Sequence, residues 1–130
     1  MRSNISLNNY LSDLINTVSD YSETGLIAFS EIVSDARSDK IGLIKGKIVF
    51  IDDSILFFKE YLDLRYRIEK KAYSFHYQDV NSELLFRYDN ALHKPDLGFS
   101  EHKHVSGKII AAEAPVTRDV LEEIVNEYFE

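Results

Sequence analysis

The sequence predicts an α+β fold, in which an N-terminal and a C-terminal helix pack on one face of an antiparallel meander sheet of five to six strands. Apolar residues recur at helical spacing near both ends of the 130-residue chain, whereas apolar and polar residues alternate through its middle. Short polar breaks separate the alternating segments, and several of these connections are short enough to be hairpins. Helices with one apolar stripe each then cover one face of the sheet.

The two predicted helices are amphipathic. The first spans about residues 7–21, with Ser6 as a candidate N-cap and Gly25 as a stop. The second follows Pro115, with Thr117 as its predicted N-cap and apolar residues from 120 to 128 on one side. Each stripe requires a partner surface, which the sheet provides.

The strands are predicted from alternation with period two. They span residues 26–35, 41–51, 54–64, 68–78 and 82–88, and a short strand at 108–112 is a sixth. Residues 89–107 contain Pro95, Gly98 and Gly107 and have no steady period, which predicts a long loop. Loops of this length in a compact domain are either functional or disordered.

Composition limits the classes of protein that fit. The length fits one domain over residues 1–130, and no apolar leader or bilayer-spanning run is present, so a cytoplasmic protein without a membrane partner is expected. The net charge of -7 argues against a general nucleic-acid-coating protein. Residues 65–108 nevertheless carry eight Lys/Arg against six Asp/Glu, so a locally basic site for an anionic substrate fits, as does an ordinary solvated surface. The chain has no cysteine, so a metal would need histidine and carboxylate ligands.

Histidine marks the candidate site, because all four histidines lie between positions 76 and 104. Alternation in residues 73–88 places the aromatic residues on one side of the sheet. If that side is the core side, His76, Arg87 and Asp89 stand together on the outward face. Two plainer interpretations remain open: His76 as a partly buried histidine bonded to a carboxylate, and Arg87 with Asp89 as a weak surface ion pair.

Two kinds of chemistry fit this segment. In an extended segment His102 and His104 project to the same side, which suits paired acid–base work or, with a third ligand from His76, Asp89 or His93, an open metal site. Without a metal, the best fit is phosphodiester cleavage, in which one neutral imidazole accepts a proton from a ribose 2′-hydroxyl. A second protonated group then protonates the leaving oxygen, while Arg or Lys stabilises the transition state.

Other residues of the segment are candidates for substrate contacts. Lys94 and Lys103 are placed to meet phosphates, and Tyr77, Tyr88 and Phe99 would stack on bases if they were exposed. The alternative for these three aromatic residues is packing in the core.

Three stretches of this segment together resemble one known family. They read Tyr-Ser-Phe-His-Tyr-Gln-Asp (73–79), Phe-Arg-Tyr-Asp-Asn-Ala (86–91) and Glu-His-Lys-His (101–104). In these stretches the chain resembles the TumE family, the small toxin components of bacterial and archaeal toxin–antitoxin pairs. Leu92 stands where that family often has proline, Lys94 where it has a second histidine, and Glu101 where histidine is frequent. Having fewer histidines weakens the metal interpretation.

The resemblance implies an antitoxin partner that is similar to a helix-turn-helix protein. It also implies a set of motif positions, which are His76, Arg87, Tyr88, Asp89, Asn90, His93, His102, Lys103 and His104.

Three hypotheses follow. The first is a TumE-like toxin that acts on RNA as a metal-independent ribonuclease without a cofactor. Its predicted catalytic residues are His76, Arg87, Asp89, His93, His102 and His104, and its predicted substrate-binding residues are Tyr77, Tyr88, Asn90, Lys94 and Lys103. The second is a non-catalytic module that binds a partner protein, and the third is a metal-dependent hydrolase. A homodimer formed through Tyr21, Tyr128 and Phe129 is possible, with packing of these residues on the sheet as the alternative.

Overall fold

The fold is that of a computed structural model, which describes residues 4–91 and 98–129. Its elements in chain order are α1 (Leu7–Ser22), β1 (Ile27–Ala36), β2 (Ile41–Phe50), β3 (Ile55–Asp63), β4 (Glu69–Gln78), β5 (Leu84–Asp89), β6 (His102–Val105), β7 (Lys108–Ala111) and α2 (Thr117–Tyr128). The strands form one sheet in which every neighbouring pair is antiparallel and spatial order follows chain order. The predicted α+β class is therefore confirmed. No helix in the described part of the chain is long and apolar enough to cross a bilayer.

Over the residues that the structure describes, the sheet has seven strands, so the prediction of five to six is wrong by one strand. The additional strand is β6, which lies within the segment predicted to be a loop. Its four residues are too few for a visible period, and three of them are histidine or lysine. A two-residue turn with positive φ at Ser106 (51°) and Gly107 (73°) joins β6 to β7, as hairpins of this length require. Pairing on both sides makes β6 a strand despite its composition.

The two helix starts differ in outcome. Ser6 caps α1 as predicted: its Oγ accepts from the Asn9 amide at 3.1 Å, and the Asn9 side chain accepts from the Ser6 amide at 3.1 Å. The predicted cap at Thr117 is wrong by one residue, because Val116 is the N-cap and Thr117 begins α2. The Thr117 side chain is buried, and no side chain caps this helix end.

Both helices lie on the same face of the sheet. Tyr10 of α1 donates to Glu60 of β3 at 2.8 Å, and Tyr128 of α2 packs on Tyr77 of β4 with ring centroids 5.2 Å apart. The core between these layers contains, from the sheet, Ile44, Ile48, Phe50, Leu56, Phe58, Leu62, Tyr73, Phe75, Tyr77 and Phe86. Phe129 packs on Phe50 at 5.6 Å. Tyr128 and Phe129 therefore pack on their own sheet, and the homodimer stays a prediction.

The opposite surface of the sheet is called the open face here. Strand register and alternation place on it Lys45, Lys47, Phe57, Lys59, Ser74, His76, Arg87, Asp89, His102 and His104. Neither of the two helices covers it. One glycine on the covered side shows how tightly that side is packed, because a Cβ at Gly46 would lie 2.0 Å from Cζ of Phe58.

Candidate functional site

Strand register brings three candidate residues into one row on the open face. His76 of β4 is the partner of Arg87 in β5, and Arg87 is the partner of His104 in β6. A second row beside it consists of Ser74, Asp89 and His102 on the same strands. The geometric expectation that His76, Arg87 and Asp89 stand together on the outward face is therefore confirmed.

Arg87 connects the two rows. Its Nε donates to Asp89 Oδ2 at 2.7 Å, and its Nη1 lies 3.3 Å from Nδ1 of His76. Because a guanidinium only donates, His76 Nδ1 faces it as the acceptor. The other ring nitrogen, Nε2, then carries the hydrogen and donates to Gln78 Oε1 at 3.1 Å. This is the neutral tautomer of His76. Burial, with the nearby Arg87 charge, lowers the pKa of His76, and the hydrogen bond to Gln78 only partly offsets this.

Asp89 is the buried centre of the cluster. Its Oδ1 lies 2.7 Å from His102 Nε2 and accepts from the Ala91 amide at 3.0 Å, and its Oδ2 lies 3.6 Å from His104 Nε2. Burial alone would raise the pKa of Asp89. The hydrogen bonds from Arg87 and the Ala91 amide, together with the His102 charge, outweigh burial, so the pKa is lowered. Asp89 is therefore a carboxylate that orients three neighbouring side chains.

The two histidines of β6 differ in access to solvent. The His102 side chain is fully buried, and its Nδ1 lies 2.7 Å from the Ser100 carbonyl oxygen. A carbonyl only accepts, so this nitrogen carries a hydrogen. The His104 side chain is one-quarter exposed, and its ring lies edge-on to His102 with centroids 4.9 Å apart. A ligand on the open face can therefore contact His104, whereas buried His102 contacts Asp89 and the His104 ring.

The same residues include a possible metal-ligand set. Ligand atoms of Asp89, His102 and His104 all lie within 4.8 Å of one another. The contact of His102 Nδ1 with a backbone carbonyl also fits, because metal-bound histidines usually donate their second N–H in this way. Arg87 opposes this use, because its charge already neutralises the carboxylate that a divalent cation would need.

Three predicted substrate-binding residues lie on the face covered by the helices. Tyr77 is fully buried with its hydroxyl 2.7 Å from Ser54 Oγ, while the Tyr88 hydroxyl donates to Glu123 at 2.5 Å. Lys103 also binds Glu123, at 2.7 Å. Alternation places all three opposite His76 and Arg87, so they cannot contact a substrate on the open face. Core packing, the alternative considered for the tyrosines, describes both.

The remaining candidates have other positions. Asn90 accepts from the Tyr73 amide at 3.1 Å and donates to the Lys71 carbonyl at 3.2 Å, beside the irregular end of β4. Its surroundings therefore indicate a structural role. Phe99 is partly exposed. His93 and Lys94 lie outside the described residues, so their roles stay predictions.

The open face also carries residues that sequence reasoning missed. Lys45, Lys47, Phe57 and Lys59 line a groove of about 510 Å³ that His76 and Arg87 also line. The charge balance over residues 65–108 left all of them out. The available signal was alternation. Lys45 and Lys47 share one face of a predicted strand, Phe57 and Lys59 share one face of the next, and the short connection at Asp52-Asp53 indicates that these two strands pair.

The fold and the site together define a class: a small α+β protein whose open sheet face carries a histidine–arginine–aspartate cluster. The family model described as Toxin TumE matches residues 15–128, and the chain belongs to that family. It is therefore the toxin component of a toxin–antitoxin system and has an antitoxin partner. No curated protein and no solved structure matches the chain.

Proposed function

We propose that this toxin is a metal-independent ribonuclease whose reaction centre is the row His76, Arg87 and His104. The observation that carries the proposal is the placement of two imidazoles on either side of one guanidinium, on three adjacent strands of an accessible face. Two strand spacings separate the Cα atoms of the histidines by about 10 Å. A phosphodiester bound at Arg87 therefore lies between a candidate base and a candidate acid.

The reaction in this proposal is transfer of the phosphoryl group to the neighbouring ribose hydroxyl. Neutral His76 accepts the 2′-hydroxyl proton at Nδ1 after the substrate replaces its long contact with Arg87. The 2′-oxygen then bonds to phosphorus, and the bond from phosphorus to the 5′-oxygen breaks. Protonated His104 donates its proton to that leaving oxygen, and Arg87 stabilises the charge on the phosphorane-like transition state. The products are a 2′,3′-cyclic phosphate and a free 5′-hydroxyl.

Asp89 and His102 are positioning residues in this proposal. Asp89 holds the Arg87 side chain at 2.7 Å and lies near His104. Buried His102 holds Asp89 in place, with its Nε2 2.7 Å from Asp89 Oδ1, and contacts no substrate. His93, which was also predicted to be catalytic, has no assigned step.

The test is cleavage of single-stranded RNA by the purified toxin. We expect 2′,3′-cyclic phosphate ends, and we expect an otherwise identical oligonucleotide with 2′-deoxyriboses to stay intact. His76→Gln should lower kcat/KM at least about 100-fold, because removal of a general base has this effect, and should abolish growth inhibition. The matched control is Arg118→Gln, because Arg118 lies on α2 and makes an exposed ion pair with Asp20. It should leave cleavage and toxicity unchanged. Cleavage of the deoxy substrate, or full activity of His76→Gln, would contradict the proposal.

The ligand set Asp89, His102 and His104 supports a second candidate, a metal-dependent hydrolase. A chelator separates the two functions. Cleavage that persists in chelator supports acid–base chemistry, whereas cleavage that is lost and then restored by a divalent cation supports the metal. A protein that cuts no RNA at any pH but co-purifies with its antitoxin would be the non-catalytic binding module.

The setting of this proposal is the cytoplasm, with RNA as the substrate and a helix-turn-helix-like antitoxin as the protein partner. The acidic character of the rest of the chain supports association with a basic DNA-binding partner.

A further inference from the structure

We propose that the groove beside His76 and Arg87 is a binding track for single-stranded RNA. The choice of RNA over other nucleic acids rests on the proposed function, whereas the track itself rests on the charge and shape of the groove. The groove has a volume of about 510 Å³ and is lined by residues of β1 to β5. It opens on the same face as the reaction centre.

The charge of the groove is the reverse of the charge of the chain. Its lining includes four basic residues, Lys45, Lys47, Lys59 and Arg87, and one acidic residue, Glu31. The whole chain has 15 Lys/Arg and 22 Asp/Glu. A basic groove on an acidic protein attracts a polyanion to that surface and discourages binding elsewhere.

The lysines are arranged in a way that the fold alone does not favour. Lys45 and Lys59 are direct partners on adjacent strands, with both side chains exposed on the open face. Like charges directly opposite each other destabilise a sheet. No ion pair within residues 4–91 and 98–129 involves Lys45, Lys47 or Lys59. A bound phosphate between these lysines would remove their repulsion.

An exposed aromatic ring lies among these charges. Phe57 is 39% exposed, and it is the cross-strand partner of both Lys47 and His76. The Lys47 ammonium lies 5.9 Å from its ring centroid, and the His76 ring lies 6.3 Å from it. A solvent-exposed phenylalanine beside a lysine ammonium and an imidazole ring is a suitable platform for base stacking in single-strand binding.

The occupant must therefore carry both phosphates and accessible aromatic bases. A duplex does not fit, because its bases stack on one another and cannot reach Phe57. A single strand fits, with phosphates at Lys45 and Lys59, a base on Phe57, and the following phosphate at Arg87. The distance from β2 to β5 is three strand spacings, or about 14 Å, so the track leads directly into the reaction centre.

The experiment measures binding without cleavage. The probe is a fluorescein-labelled, 2′-O-methylated single strand of about 12 nucleotides, within the range of known single-strand sites. Methylation removes the 2′-hydroxyl nucleophile, so anisotropy reports binding alone. The variant is Lys45→Gln with Lys59→Gln, and the matched control is Lys71→Gln with Lys108→Gln, which makes the same charge change outside the groove.

The groove variant should bind about tenfold more weakly at low salt, and its slope of log K against log salt should fall by about 1.4, because each phosphate contact on a single strand contributes about 0.7. The control should change affinity less than about twofold. Phe57→Leu should weaken binding at least about fivefold with an unchanged salt slope. A duplex of the same sequence should bind more weakly than the single strand.

The urea midpoint separates binding from folding. Removing two opposed lysines should leave the midpoint of the groove variant unchanged or raise it, whereas a lower midpoint would show that the lysines serve the fold. Equal losses in the two double variants, or duplex binding as tight as single-strand binding, would overturn the track. Binding without any cleavage of unmodified RNA would keep the track and reject the proposed ribonuclease. Cleavage of unmodified RNA, together with unchanged binding by the groove variant, would keep the proposed ribonuclease and reject the track.

Discussion

His76 shows how the local surroundings of one residue set its chemistry. Its ring is half-buried, one nitrogen faces the Arg87 guanidinium, and the other donates to Gln78. Burial and the Arg87 charge lower its pKa below the ordinary value of about 6.5. A histidine in this state is neutral at neutral pH, which is the form that a general base needs.

The lowered pKa of His76 gives a prediction about activity. We expect the acidic limb of kcat/KM against pH to lie below about 6.5, because cleavage requires unprotonated His76. An NMR titration of the His76 ring should give the same pKa. A ring that titrates above 6.5 would contradict both the assignment and the geometry behind it.

The same pKa shift gives a second prediction, about stability. Below pH 6.5, and down to the folded pKa, the unfolded chain binds the His76 proton more readily than the folded chain. The free energy of unfolding should therefore fall as pH is lowered through this range. Urea unfolding at several pH values should show the wild type losing stability relative to His76→Gln as the pH falls. A constant difference between the two proteins would show that His76 titrates alike in both states.

Alternation alone was enough to group the candidate site residues of β4 and β5. The outward positions of His76, Arg87 and Asp89 follow from aromatic residues that must face the core. The same alternation places Tyr77 and Tyr88 on the core side of the sheet. The prediction that they bind substrate therefore conflicted with the prediction that His76 lies on the opposite, outward side. The burial of His102 was not predictable, because it depends on the strand pairing of β6.

A buried ion pair links three elements of the fold. Glu60 of β3 is fully buried, Lys70 of β4 lies 2.7 Å from its Oε2, and Tyr10 of α1 donates to its Oε1 at 2.8 Å. Lys70 also donates to the Pro115 carbonyl at 2.6 Å, just before α2. This network connects both helices to the centre of the sheet.

Removing the lysine from this network should be costly. Lys70→Met leaves the buried Glu60 carboxylate without its cation, and we expect a loss of about 3–5 kcal/mol in the free energy of unfolding. The neighbouring Lys71→Met is the control, because Lys71 is half-exposed and pairs with a partly exposed Glu69 at 2.9 Å. That change should cost at most about 1 kcal/mol. Urea denaturation measures both. Equal losses would mean that the buried pair contributes no more to stability than the exposed pair does.

At the scale of the whole molecule, the two helices contact each other. Arg118 of α2 pairs with Asp20 of α1 at 3.2 Å, and the Tyr21 hydroxyl donates to Glu122. The helices therefore close over the sheet together, and neither buries its apolar stripe alone. We expect one cooperative unfolding transition, with coincident curves from far-UV and tyrosine near-UV circular dichroism. Helices that unfold before the tyrosine signal changes would separate the curves and contradict this expectation.

The two faces of the sheet have different roles. The covered face contains the core and the contacts of Tyr88 and Lys103 with Glu123 of α2. The open face contains the proposed reaction centre and the groove. Neighbouring residues in β4 or β5 therefore face opposite sides of the sheet. Arg87→Gln tests the proposed site on the open face, whereas Tyr88→Phe tests packing against α2 on the covered face.

The sequence by itself determined the two helices, five strands of the meander, the short strand β7 and the side of the sheet on which His76, Arg87 and Asp89 lie. These features follow from periodicity, which is a local property of the chain. Only the tertiary structure decided that β6 is a strand, that His102 is buried behind Asp89, and that Lys45 and Lys59 meet beside the site. Each of these depends on pairing between distant segments, and four residues such as His-Lys-His-Val carry too little pattern to specify their own partner.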